Sequence, residues 1–220
     1  MEFNFFTFIF LFAILTSVVA LLWLNFRQDK AIKVSFNEVP EDFKETITLE
    51  DHQKAGRYTQ AKLLVNHFEI IFSTIVLLIW TLGGAMNWLD IFWDQRISDP
   101  IWLGTTFILS IMLIASFIDL PFSLYRNFIL EERFGFNRMT IKTFIGDLVK
   151  ELILTLALGI PLIYAILFLM NMDAIGEYWW VYVWAILSVF TLTMMWIYPT
   201  FIAPIFNKFN FIDNDVDAQV

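Results

Sequence analysis

Leu130-Glu-Glu-Arg-Phe-Gly-Phe-Asn-Arg-Met-Thr140, running on as Ile141-Lys-Thr-Phe-Ile-Gly-Asp-Leu-Val-Lys-Glu151, decides the fold. The segment opens as a charged turn in which Gly135 is free to take a left-handed conformation, and Asn137 or Thr140 can cap the helix that comes after it. From Ile141 the apolar residues fall at 141, 144, 145, 148, 149 and 152, the spacing of one helix face. Lys142, Thr143, Gly146, Asp147, Lys150 and Glu151 fill the other face. Beyond Leu152 the polar face disappears until Met170. A helix that is first two-faced and then greasy all round has passed from an interface into hydrocarbon. The pattern predicts a membrane protein.

Composition points the same way. Apolar residues make up 59% of the 220, with 25 Phe and 9 Trp, and mean hydropathy is +0.67, well beyond the needs of a soluble core. The net charge of −8 sits in a few connectors and says little about partners. The absence of cysteine removes disulfides and thiolate metal sites from consideration. Basic residues are intermixed with acidic ones, so no nucleic-acid partner is expected.

Outward from the central segment, five apolar stretches are long enough to span: about 3–26, 63–82, 101–125, 152–170 and 178–198. The first carries Glu2 and no basic residue ahead of a run too long for a signal peptide; although Val18-Val19-Ala20 is a passable cleavage site, a permanent anchor is expected. Thr48-Leu49-Glu50-Asp51 reads as a capped helix start leading into the second span, which Gly83-Gly84 should end. Residues 87–100 read as a short loop whose Trp88 and Trp93, with Trp102 just beyond, suit an interfacial belt. Gly159 and Pro161 mark a kink, and Pro199 the end of the last span. The fold class expected is all-α and polytopic, with about five transmembrane helices and a cytoplasmic amphipathic helix. Residues 1–212 form the membrane domain and 213–220 a polar tail.

Threading is set by the basic residues. Seven Lys and Arg lie in 27–62, five in 126–151 and one, Lys208, after the last span, against one in 83–100 and none in 171–177. The positive-inside rule then puts both basic connectors and the C-terminus in the cytoplasm, and the N-terminus outside.

The ionisable residues in or near the spans are His67, Glu69 and Asp119, functional candidates by location. All three lie toward the cytoplasmic ends, so two readings stand: wetted, snorkelling side chains, or the lining of a cavity open to the cytoplasm. His52 and His67 are the only histidines, 15 positions apart, and the H-E-x-x-H helix that puts two zinc ligands on one face is absent. No nucleophile elbow or phosphate-binding glycine loop occurs.

Glu131-x-x-Phe134-Gly135-Phe136-Asn137-x-x-Thr140, followed by Asp147-x-x-Lys150, resembles the signature of the membrane-embedded CaaX prenyl endopeptidases, the type I integral-membrane zinc metallopeptidases. Val39-Pro40, Tyr58-Thr59-x-Ala61-Lys62, Trp179-Trp180-x-Tyr182-x-Trp184 and Tyr198-Pro199-x-x-Ile202-Ala203-Pro204-Ile205-Phe206-Asn207-Lys208-Phe209 extend the likeness over about 35–210. The resemblance implies a ring of seven helices around a chamber, with a cytoplasmic zinc peptidase domain that cuts lipidated or membrane-associated substrates. The family's H-E-x-x-H, its distal Glu and its last two helices would lie beyond Val220. No catalytic, metal or cofactor role therefore transfers to these residues. Zinc is expected only in the full-length family member, and the partners implied are the bilayer, the C-terminal peptidase domain and a lipidated or membrane protein substrate. Glu131, Phe134, Gly135, Phe136, Asn137, Thr140, Asp147, Lys150, Pro204, Phe206, Asn207, Lys208 and Phe209 are the motif positions carried forward, as structural or chamber residues. The FGFN turn reads either as the seat of the amphipathic helix or as a substrate contact. A stand-alone, non-catalytic membrane scaffold is the alternative for the chain as a whole.

Overall fold

In the computed structural model, residues 4–206 are described, and all regular structure among them is helical. Five helical stretches are long and apolar enough to cross a membrane: Phe5–Ser35, Leu49–Thr81, Pro100–Phe134, Ile141–Met170 and Asp173–Phe206. Contacts group the chain into two compact units, one of residues 1–96 and 111–139, the other of 97–110 and 140–220.

In the first unit, α1 (Phe5–Ser35) and α2 (Leu49–Thr81) form an antiparallel hairpin. Asn4 caps α1 by accepting from the Thr7 amide at 3.0 Å. Thr48 caps α2 by accepting from the Asp51 amide at 3.1 Å, as its sequence suggests. Residues 27–62 are far less of a loop than their polarity implies. Arg27 to Lys33 are good helix formers reinforced by the Asp29–Lys33 pair at 2.5 Å, so α1 continues to Ser35 and only 36–48 lie between the helices. Polar contacts then pin the two helices in register. Gln60 donates to Asp29 at 2.9 Å, Asn66 to Asn25 at 3.3 Å, and a His52 ring nitrogen lies 2.8 Å from the Ser35 carbonyl. Between them Gly56 lets the Phe36 ring approach to 3.2 Å of where a Cβ would stand.

Gly83-Gly84 ends α2, with Gly84 left-handed at φ 81°, and the chain turns into α3 (Ala85–Asp94). The short loop expected at 87–100 is thus mostly helix. Leu89, Phe92 and Trp93 are spaced three and four apart, Leu89 is buried, and Arg96 returns a hydrogen bond to the Phe92 carbonyl at 2.5 Å. Trp88 and Trp93, read as interfacial anchors, obscure that period.

The third long helix, α4 (Pro100–Tyr125), is capped by Asp99, which accepts from the Ile101 and Trp102 amides at 3.0 and 2.9 Å. It carries Pro121 internally and widens into a π-turn at Arg126–Leu130, followed by the short α5 (Glu131–Phe134).

In the second unit, α6 (Ile141–Met170) is one continuous helix joining the amphipathic stretch to the greasy one. Of the two candidate caps, Thr140 serves, accepting from the Thr143 amide at 3.1 Å. The N-terminal turns of α4 pack on α6 by reciprocal fit of small against large. A Cβ on Gly104 would lie 2.9 Å from Leu167, and one on Gly159 3.3 Å from Leu109. With no hydrophobic drive between helices in lipid, close approach of this kind is a main source of attraction. A 3-10 turn leads into α7 (Trp179–Ile197). The helix does not stop at Pro199: a π-turn at Tyr198–Ile202 carries it into α8 (Ala203–Phe206). Pro199 sits in the first turn of that wider helix, so the change of hydrogen-bond register coincides with a residue that has no amide hydrogen to donate.

Candidate functional site

The motif around Glu131 owes its residue types to local chain geometry first. Gly135 is left-handed at φ 76°, the Phe136 amide donates back to the Glu131 carbonyl at 2.9 Å, and the Gly135 amide to the Glu132 carbonyl at 3.0 Å. These are the paired bonds of a Schellman helix end, which needs glycine at the left-handed position. Asn137 locks the next bend, donating to the Glu132 carboxylate at 2.9 Å and accepting from the Met139 amide at 2.7 Å. Tyr58 of α2 then meets both phenylalanines edge-on, at ring separations of 5.3 Å to Phe134 and 5.0 Å to Phe136. Lys54 lies 5.2 Å from the Phe136 ring. Two sequence motifs more than seventy residues apart thus form one aromatic clasp.

Beside the clasp runs a polar groove of about 630 Å³ between α2 and the C-terminal part of α4 with its π-turn. Its walls repeat at helical spacing: Tyr58, Lys62, Asn66, Glu69 and Ser73 on α2 face Asp119, Ser123, Asn127 and Glu131 opposite. Arg126 is ion-paired with Glu69 across the two walls, and Phe72 meets Phe122 at 5.2 Å. Those two contacts set an antiparallel register in which Asn66 stands within a helical turn of Asn127, and Lys62 within a turn of Glu131.

The structure thereby separates the three ionisable candidates. Glu69 and Asp119 line the groove, Glu69 paired and Asp119 with no hydrogen-bonding partner among the described residues. His67 does not line it; its Nδ1 lies 2.6 Å from the Leu63 carbonyl of its own helix. Sequence reasoning missed Asn66, Ser73, Ser123 and Asn127. The signal is the polar stripe 58, 62, 66, 69, 73, at helical spacing on one face of α2.

The remaining motif positions meet in the second unit. The Lys150 ammonium donates to Asp147 at 3.0 Å and to the Ile205 carbonyl at 2.9 Å, and lies 5.4 Å from the Phe206 ring. Asp147-x-x-Lys150 and Pro204-Ile205-Phe206 are therefore one joint, with Lys150 tying the end of α8 to α6. Trp180, Tyr182 and Trp184 of the α7 motif are exposed. Asn207, Lys208, Phe209 and the polar tail 213–220 lie outside the described residues.

Among the described residues no group of three or more His, Cys, Asp or Glu side chains is placed to share a metal ion. Both histidines also have a ring nitrogen directed at a backbone carbonyl. The residues present do not fit the zinc site that the resemblance implies for the full-length protein.

A family model described as the CAAX prenyl protease N-terminal region, with five membrane helices, matches residues 28–208. The chain belongs to this family. Among CAAX prenyl protease 1 homologs, that of Dictyostelium discoideum is 35% identical over 206 residues, covering 90% of this chain and 47% of the relative. That of Caenorhabditis elegans is 35% identical over 209 residues, covering 93% and 46%. The crystal structure of S. mikatae Ste24p matches with a TM-score of 0.78 at 27% identity, over 90% of this chain and 46% of that one. The chain thus spans about half the length of the curated CAAX prenyl proteases it matches, and has the five membrane helices of their N-terminal region.

Proposed function

We propose that the chain is the membrane-embedded N-terminal part of a CaaX-prenyl-protease-like zinc endopeptidase, forming wall and substrate approach of a chamber whose metal centre lies in a C-terminal peptidase domain. The observation that carries this reading is the family match across 28–208, combined with a five-helix structure that parallels S. mikatae Ste24p. In this reading the motif residues of the clasp and of the Lys150 joint position the chamber wall, and no residue of the described chain performs the bond cleavage. The water that attacks the peptide would be activated by zinc held outside it. The substrate is a lipidated or membrane-associated polypeptide. The N-terminus faces outward, and the basic stretches 27–62 and 126–151 face the cytoplasm.

Two measurements test it. The polypeptide expressed from the native gene should cleave a prenylated CaaX peptide and lose that activity to a zinc chelator; a stable, well-expressed product with no cleavage would favour the non-catalytic scaffold. Because the sequence contains no cysteine, single cysteines at Asp42 and Arg133 should react from the cytoplasmic side and ones at Ser98 and Ala174 from the other. Labelling of positions 42 and 133 from opposite sides would overturn the threading.

A further inference from the structure

The groove of the first unit holds three ionisable side chains without an ion-pair partner among the described residues: Lys62 and Glu131 toward one end, and Asp119 further along α4. Lys62 rests 5.2 Å from the Tyr58 ring, so aromatic packing rather than a carboxylate holds it. Asp119 lies within the candidate span Pro100–Phe134 and is exposed along the groove, so in a bilayer its carboxylate calls for a counter-charge or water.

From Tyr58 to Ser73 the polar wall of α2 extends about 22 Å at the rise of an α-helix. That is room for about six residues of extended chain. Polar groups occur at every level: the carboxamides of Asn66 and Asn127, the Glu69–Arg126 pair, then the hydroxyls of Ser73 and Ser123. Asn66 already donates to Asn25 at 3.3 Å and Asn127 to the Ser123 carbonyl at 3.0 Å, which leaves their carboxamide oxygens as the acceptors available along the groove. A phospholipid, with its polar atoms in a single layer, would lay hydrocarbon against them. A ligand with amides along its whole length satisfies them.

We propose that this groove binds an extended peptide segment and selects a basic side chain in it, whose cation pairs with Asp119. The inference rests on the reading of the chain as part of a peptidase, and it adds a binding site and a specificity-determining residue that the family match does not supply.

The test uses the chain in phosphatidylcholine nanodiscs and two fluorescein-labelled peptides of about six residues, identical except for a central lysine or norleucine. The lysine peptide should bind at least about tenfold tighter, and Asp119→Asn should bring the two within about twofold, while Asp119→Glu keeps the preference. Equal affinities for wild type would overturn the proposal, as would a lysine preference that survives Asp119→Asn. So would failure of both peptides to bind while phosphatidylethanolamine co-purifies in an Asp119-dependent way, which would assign the groove to a lipid headgroup. The wild-type comparison needs no variant to fold. It is also independent of catalysis: zinc-dependent cleavage by the native gene product without a lysine preference here sinks this inference alone, whereas absence of cleavage sinks the proposed function.

Discussion

Replacing Tyr58 by leucine should release the FGFN turn without unfolding the membrane helices. The substitution keeps an apolar side chain but removes two edge-on ring contacts, at 5.3 and 5.0 Å, and the ring beneath Lys62. Aromatic pairs contribute about 0.5–1.5 kcal/mol each beyond the area they bury. Phe136 is 48% exposed, so the lower half of that range applies and the loss is about 1–2 kcal/mol for the two pairs. The Schellman bonds at Gly135 and the Asn137 bridges remain, so the effect is local opening. Amide hydrogen exchange read by mass spectrometry is the assay. Protection of the Phe136 and Met139 amides should fall about five- to thirtyfold, with the centre of α6 unchanged. Tyr58→Phe, which keeps the ring, should stay within about twofold of wild type. Unaltered exchange at 136–139 in Tyr58→Leu would show that the backbone bonds alone hold the turn, and that the aromatic clasp does not.

Two further substitutions probe the glycines. No atom lies within 4 Å of a Cβ built on Gly135, so Gly135→Ala carries only the backbone cost of a left-handed alanine, about 1–2 kcal/mol; Gly135→Asn should recover part of it in the same exchange measurement, and equal effects would point to a steric cause instead. Gly159→Leu drives a side chain into Leu109, already 3.3 Å from an added Cβ, and should destabilise the α4–α6 contact by about 1–3 kcal/mol. A lower thermal midpoint in detergent checks it, and an unchanged midpoint would mean that the reciprocal fit contributes nothing.

Much of this architecture is legible from residue order because the bilayer imposes a simple code. Five greasy stretches and the caps at Thr48 and Thr140 follow from length, hydropathy and capping chemistry, and Gly135 is recognisable as a left-handed turn. Where reading by polarity misleads, the reason is that polar residues are not thereby loops. Arg27 to Lys33 are charged yet helix-forming, and residues 85–94 hide an apolar face among tryptophans. The groove was half visible. Glu69 and Asp119 stand out as ionisable groups in apolar surroundings, but their being on facing walls follows from the Glu69–Arg126 pair and the Phe72–Phe122 contact between two helices, which the pattern within either helix does not announce. The Lys150 joint is likewise a contact across 55 positions, which periodicity cannot foresee.

The α1–α2 hairpin has a mechanical corollary. A helix of 33 residues is about 50 Å long, whereas a hydrocarbon core is about 30 Å thick. If the greasy portions of both helices fill that core, roughly 20 Å of coupled, sidechain-bolted rod stands clear of it. A lone helix of that size would bend or fray in water, but one braced by Asp29–Gln60, Asn25–Asn66 and Ser35–His52 behaves as a strut. Whatever engages residues 36–48 is thus held at a fixed standoff from the lipid, and movement at the strut's tip is transmitted to its foot among the headgroups instead of being dissipated in a slack tether.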